Sequence, residues 1–330
     1  TVELRKAICD KLKRDNGLDY TPEQIVVSNG GKQTLRNAFE AIVNPGDEVI
    51  LPAPYWLTYP ELIKMSGGTV VYINTDKAAD FKVTPEQLEK AITPKTKAFV
   101  LNNPSNPNGT VYTEAEIRAL AAVLEDKDIY VVSDEIYEKL VYGVPFFSIA
   151  ACSEKMKERT IICSGLSKTY SMTGWRMGFS AAPAGVAKAM SSIQSHTTSN
   201  ANSIAQYASL IALTDSRGDE FLRTMQATFD SRRKLIVGLI DKVPYASCNE
   251  PKGAFYVMMD VSGAFGKTCD GRVINNSADF CDLLLEKALV AVVDGAAFGA
   301  PEYVRLSYAI SEDDIRKGLE RITGFMKGLK

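Results

Sequence analysis

Histidine is almost absent from this chain of 330 residues: His196 is the only one. Serine or cysteine nucleophiles activated by histidine would have to be built around that one side chain, and metal sites with several histidines are excluded. Beside Thr197, Thr198 and Ser199, His196 reads as a hydrogen-bonded packing residue. No stretch approaches the roughly 18 uninterrupted apolar residues of a membrane span, and the first residues lack a basic segment followed by an apolar one. Blocks of like charge are also missing. With 38 basic and 40 acidic side chains the net charge is -2, so nothing draws the chain as a whole to nucleic acid or anionic lipid. The six cysteines are dispersed, without a C-x-x-C pair, which points to reduced thiols in an intracellular compartment and to no cysteine catalysis.

What the chain does contain is a regular alternation. Apolar, β-rich runs recur at Ile25–Ser28, Glu48–Leu51, Thr69–Ile73, Ala98–Leu101, Ile129–Ser133, Thr160–Cys163 and Met177–Ser180. Most do not alternate with polar residues, as expected of strands buried on both faces. Helical stretches lie between them; Thr113 with Glu116 three residues later has capping-box spacing. This order predicts an α/β fold with a largely parallel, helix-covered sheet. From Asp219 to Lys242 the pattern becomes one long helix. Beyond it come strands at Ala254–Met259, Val290–Val293 and Val304–Ser307, helices near Ser277–Lys287 and from Ser311 on, and a surface insertion over Gly263–Asn276. This part reads as a second, α+β lobe.

Several segments carry chemistry. Ser28-Asn-Gly-Gly-Lys-Gln-Thr34 follows a strand and opens a helix, an arrangement suited to a phosphate. A nucleotide-binding P-loop would need a glycine where Val26 stands, and Lys32 is free to meet a substrate anion instead. Asn106 lies in a proline-stiffened loop after a strand, either a rigid connection or a ligand-facing donor. Asp134 ends a buried strand, where a carboxylate needs a cationic partner or caps a helix; Tyr137 follows three residues on. Trp56, beside Tyr55, packs or stacks on a flat ring. Arg305 interrupts a strand of the second lobe and calls for an anion, either a structural carboxylate or a substrate carboxylate. Most telling is Lys168, set among small and apolar residues with Arg176 eight positions on. Its amine can condense with an aldehyde while Arg176 neutralises a phosphate on the same ligand.

In register, these segments resemble the class I pyridoxal-phosphate aminotransferases of fold type I, nearest the aspartate/prephenate aminotransferase subgroup and its plant- and alga-like members. The resemblance covers nearly the whole chain and rests on Gly30-Gly-Lys-Gln33, Pro54-Tyr-Trp56, Asn103-Pro-Ser-Asn-Pro107, Ser133-Asp-Glu-Ile-Tyr137, Ser167-Lys168, Met172-Thr-Gly-Trp-Arg-Met-Gly178, Gly253-Ala-Phe-Tyr256 and Val304-Arg-Leu-Ser-Tyr-Ala309. It implies a large cofactor domain over residues 1–230, built on a mostly parallel seven-stranded sheet, and a smaller α+β domain over residues 231–330.

The resemblance also implies roles. Pyridoxal 5'-phosphate would be joined covalently to Lys168, which later moves a proton at the substrate's α carbon. Asp134 would keep the ring nitrogen protonated, Tyr137 and Asn106 would bond the ring's phenolic oxygen, and Trp56 would stack on the ring and border the substrate. Gly30, Gly31, Lys32, Arg176 and Ser164 or Ser167 would hold the phosphate. Arg305, helped by Asn106, would take the substrate α-carboxylate, and Lys32 the distal carboxylate of an acidic substrate. The implied reaction exchanges amino groups between L-aspartate and 2-oxoglutarate by a ping-pong scheme, or between prephenate and glutamate or aspartate to give arogenate, in a homodimer of the cytoplasm or a plastid. Other enzymes of the fold, a carbon–sulfur lyase or a cyclopropane-forming synthase, and a non-catalytic regulatory module are the alternatives. The sequence departs from the family at Asn108, usually threonine or serine, at Gly165, where some branches have a phosphate-binding serine, and in the family's amino-terminal segment, which it lacks.

Overall fold

The computed structural model describes residues 1–330. The first half alternates helix and strand: α1 (Val2–Asn16), β1 (Ile25–Asn29), α2 (Gly31–Ile42), β2 (Glu48–Ala53), α3 (Thr58–Met65), β3 (Thr69–Asn74), α4 (Pro85–Ala91), β4 (Thr96–Asn102), α5 (Glu114–Leu124), β5 (Tyr130–Asp134), α6 (Glu154–Lys157), β6 (Thr160–Gly165), α7 (Leu166–Thr169) and β7 (Met177–Ala181). All seven apolar runs of the sequence enter one sheet, in the order β1-β7-β6-β5-β4-β2-β3. Every pairing among β2, β3, β4, β5 and β6 is parallel, and β7 is antiparallel to both β6 and β1. Six strands therefore run one way and β7 alone is reversed.

Helices cover the sheet because their apolar residues recur at helical spacing. In α2, Leu35, Ala38, Phe39 and Ile42 are buried in a core shared with Val49, Val100 and Val132 of the central strands. Each large side chain so buried contributes about 1.5–3 kcal/mol. The Thr113 capping box is present: the Thr113 hydroxyl accepts from the Glu116 amide at 3.3 Å, and the Glu116 carboxylate accepts from the Thr113 amide at 2.7 Å.

After α8 (Ala184–Thr197) and α9 (Ser203–Thr214) comes the long helix α10 (Arg217–Ile240). Its first half contributes Leu222 and Met225 to a cluster with Tyr137 and Leu140, and its second half contributes Ile236 and Ile240 to the core of the carboxyl-terminal region. That region holds β8 (Ser247–Cys248), β9 (Tyr256–Asp260), the two-residue strands β10 (Thr268–Cys269) and β11 (Arg272–Val273), α11 (Ser277–Ala288), β12 (Val293–Asp294), β13 (Tyr303–Ser307) and α12 (Glu312–Lys327). Its antiparallel sheet has the order β12-β13-β9-β8.

Three expectations need correction. Of the run Val290–Val293 only Val293 enters a strand, the two-residue edge strand β12, because only Val293 and Asp294 reach partners on β13. The stretch Gly263–Asn276 is not merely a surface insertion: Ala264 and Ile274 are fully buried, and Thr268 exchanges backbone hydrogen bonds with Lys330. His196 is exposed in the last turn of α8 rather than packed. No helix is long and apolar enough to cross a membrane.

Candidate active site

The sheet direction explains why motifs far apart in sequence meet. The carboxyl ends of β1, β2, β4, β5 and β6 share one edge, and there the chain enters the segments bearing Gly30, Trp56, Asn106, Asp134 and Lys168. Because β7 is reversed, its amino end lies at that edge too, with Met177 opposite Asn29 and Gly178 opposite Gly165. Arg176 thus stands beside the glycine turn that precedes α2. Ligands of open α/β sheets bind at this edge.

A cavity of about 240 Å³ opens there, lined by Gly31, Lys32, Trp56, Asn106, Asp134, Tyr137, Ser164, Ser167, Lys168 and Arg176. Gly30 lies behind it against Arg176, and Arg305 joins through Asn106, whose Oδ1 accepts from the Arg305 guanidinium at 3.0 Å. Every site residue expected from sequence is therefore in this one group. The cavity also takes in residues to which the sequence had given no role: Tyr59, Asn102, Thr173 and Tyr256. Tyr59 sits one helical turn after Trp56, a spacing that could have drawn notice. Nothing local marks Asn102 or Tyr256, although Tyr256 lies in one of the family motifs.

Asp134 is buried at the end of β5. Its Oδ2 accepts 2.7 Å from the Tyr59 hydroxyl and its Oδ1 accepts 3.2 Å from the Ile136 amide. The carboxylate closes a turn, since no helix follows β5 directly, and the helix-cap alternative is set aside. Burial pushes its pKa up to about 6, against the Tyr59 and Ile136 hydrogen bonds and the Lys168 charge, which pull it down. Lys168 is half-buried on α7, its Nζ 5.5 Å from the Phe255 ring centroid. Burial lowers its pKa, and Arg176 and Arg305 repel its proton further, while Asp134 works the other way. A lysine so placed offers a free amine more readily than a solvated one. Cys163, on the same cavity wall, has its thiol pushed well above the ordinary value by burial and by Asp134 and Glu135, so it stays protonated and unreactive.

The Arg305 guanidinium forms no ion pair with any carboxylate of the chain, so the structural salt bridge is set aside; it lies over the ring of Tyr256, 4.4 Å from its centroid, and over that of Phe298, at 4.8 Å. Burial lowers its pKa. Tyr137 is buried, its hydroxyl 3.2 Å from that of Tyr256. Trp56 meets Tyr59 edge-on at 5.4 Å, and the exposed Lys32 places its Nζ 5.3 Å from the Trp56 ring. Ser164 and Ser167 are buried, the former 3.5 Å from the Glu135 carbonyl.

The glycine turn fits an anion. Gly30 has φ 82, and a Cβ there would stand 2.3 Å from Arg176 Nη2. Arg176 itself is left-handed at φ 53, uncommon for a residue with a side chain. Together they hold a guanidinium beside the first turn of α2, where the Gly31 and Lys32 amides have no carbonyl to bond within the helix while those of Gln33 and Thr34 bond the Gly30 carbonyl. Two of the three departures from the family have structural grounds. Asn108 Oδ1 accepts 3.0 Å from the Thr110 amide and closes its own turn. Gly165 has no room for a serine, since a Cβ would lie 2.6 Å from the Met177 carbonyl. A phosphate, an aldehyde and a protonated ring nitrogen on one ligand would each find a complement here.

The comparisons with known proteins agree. The family model described as aminotransferase class I and II matches residues 1–322. This chain belongs to that family. As an aminotransferase it is 48% identical to the aspartate/prephenate aminotransferase of Cereibacter sphaeroides, over 99% of this chain and 82% of that protein. It is 45% identical to the aspartate aminotransferase of Bacillus subtilis, with the same coverage. Among solved structures, the aspartate aminotransferase from Rhizobium meliloti superposes with a TM-score of 0.96 at 42% identity, over 99% of this chain and 82% of that one. The fold is that of the fold type I aspartate aminotransferases.

Proposed function

We propose that this aminotransferase uses pyridoxal 5'-phosphate to exchange amino groups between L-aspartate and 2-oxoglutarate. The observation that carries the reading is the meeting, in one cavity, of the lysine amine of Lys168, the buried carboxylate of Asp134 and the anion cradle of Gly30 and Arg176. When bound, the cofactor supplies an aldehyde for covalent attachment and a ring that accepts electrons from the substrate's α carbon. The phosphate would be held by Gly30, Gly31, the backbone or side chain of Lys32, and Arg176, with Ser164 or Ser167 as a further donor. Asp134 would keep a proton on the ring nitrogen, Tyr137 and Asn106 would bond the ring's phenolic oxygen, and Trp56 would stack on the ring.

Lys168 would take a proton from the substrate α carbon and return it to the cofactor's C4′, as a base tethered within reach. Arg305 and Asn106 grip the α-carboxylate. Lys32, exposed above Trp56, receives a distal carboxylate and so favours dicarboxylic substrates. Prephenate is the second reading, favoured by the name of the Cereibacter sphaeroides relative. A panel of amino donors offered with 2-oxoglutarate and with prephenate, products identified, tests both; elimination products in place of transfer would point to a lyase.

The same proposal places the lobe division inside α10, giving residues 1–230 and 231–330, and takes the working unit as a homodimer. An intracellular setting suits six cysteines that are all free. The relatives above are bacterial and lend no support to a plant-like branch or a plastid.

A further inference from the structure

Phe298 touches both halves of the site from behind. It ends the turn Gly295–Phe298 and is fully buried against Met258 and Ala300. Its ring supplies one of the two aromatic faces that hold Arg305, the other being Tyr256. No carboxylate of the chain neutralises that guanidinium, and attraction between a cation and a ring face grows as water is removed. On its backbone side Phe298 makes a different contact. Its carbonyl accepts from the Tyr55 amide at 3.0 Å. The next residue, Gly299, has φ 75, and a Cβ there would stand 2.9 Å from the Tyr55 ring. The turn therefore grips the loop of the large sheet that carries Trp56.

We propose that Phe298 is a positioning residue that sets the Arg305 guanidinium for an incoming carboxylate and keeps the Trp56 loop in register with it. This rests on the reading of Arg305 as the carboxylate anchor. With one ring face removed, the long arginine side chain regains rotamers, and binding must order them again. A side chain that never reaches substrate would then govern affinity for substrate carboxylates while leaving the reacting atoms untouched.

The test uses the cofactor-loaded enzyme and succinate as an unreactive dicarboxylate. Phe298→Leu is expected to weaken succinate binding about tenfold, the size of a partly desolvated cation–π contact. The KM for aspartate should rise to match, with kcat and the cofactor's visible absorbance nearly unchanged. Phe298→Tyr keeps the ring face and should retain native affinity; an equal loss in that variant would overturn the role of the ring. In an Arg305→Gln background the effect of Phe298→Leu should vanish. If the two losses simply add, Phe298 acts on the fold and not through Arg305, and the proposal fails. If Arg305→Gln alone leaves succinate binding intact, the reading of Arg305 fails and takes the proposal with it. Should Phe298→Leu not load cofactor, Phe298→Met, which keeps bulk without a ring, carries the same comparison.

Discussion

The phenol of Tyr59 donates a 2.7 Å hydrogen bond to Oδ2 of Asp134, and both residues are buried. Tyr59 comes from α3 and Asp134 from the end of β5, so the pair joins the loop behind Trp56 to the centre of the sheet. The hydroxyl has its own pKa pushed well above the usual tyrosine value by burial and by the Asp134 charge. It therefore stays a donor and helps keep Asp134 ionised where burial alone would favour the neutral acid.

Tyr59→Phe removes that donor and leaves the carboxylate with the Ile136 amide alone. The acid limb of the pH profile of kcat/KM is expected to move to higher pH, and kcat/KM at neutral pH to fall about 10–100-fold, in keeping with loss of a hydrogen bond to a charged group. A profile that superposes on that of the native enzyme would show that Tyr59 only packs.

Asp134 has a second, opposite signature in the cofactor-free protein. Its folded pKa of about 6 lies above the value of 3.8 expected in the unfolded chain. The folded state therefore holds more protons between those values, and the carboxylate's contribution to stability declines as pH rises through that window. Above it, a shift of this size costs about 3 kcal/mol. Replacing Asp134 by Asn should thus be more favourable, relative to the native protein, at pH 8 than at pH 4, by up to that amount. Glu135, pushed up to about 7 by burial, titrates in both proteins and cancels to first order. Urea unfolding at the two pH values measures the difference; a constant difference would show that Asp134 ionises normally.

Lys32 lies at the solvent side of the cavity, over Trp56. Lys32→Gln should raise KM for aspartate and glutamate more than for monocarboxylic donors such as alanine, by about tenfold for one charged hydrogen bond. Steady-state kinetics on matched donors decide it. Equal losses would leave Lys32 with the cofactor phosphate alone.

Lys168→Ala should abolish the visible absorbance of covalently attached cofactor and lower turnover at least about a thousandfold, within the range of general acid–base catalysis. Absorbance spectra and single-turnover transfer to 2-oxoglutarate measure both. Retention of both would remove Lys168 from the centre of the reaction.

Much of the architecture was legible in the chain because its signals are local. Seven apolar runs, most of them unalternating, gave seven strands, since a strand buried on both faces has no polar side to show; the edge strand β3, with Thr69 and Tyr72 exposed, is the exception. The Thr113–Glu116 spacing gave a real cap because that motif closes within four residues. Where the signal was weak the reading slipped: Val290–Val293 is as apolar as a strand, but only its end meets β13. The polar-looking stretch 263–276 proved anchored through Ala264 and Ile274.

By itself the sequence determined which groups are available for chemistry: one lysine in an apolar setting, one carboxylate at a strand end, glycines at a helix start and a lone histidine that is not needed. Those are properties of residue type and immediate neighbours. Only the tertiary structure decided how they stand to one another. The reversal of β7 carries Arg176 to Gly30, the fold of α3 brings the Tyr59 hydroxyl to Asp134, and the packing of β13 sets Arg305 over the rings of Tyr256 and Phe298. These contacts span from 75 to nearly 150 residues of chain in the first two cases. At such separations side-chain order is fixed by sheet register and core packing, which no local pattern encodes.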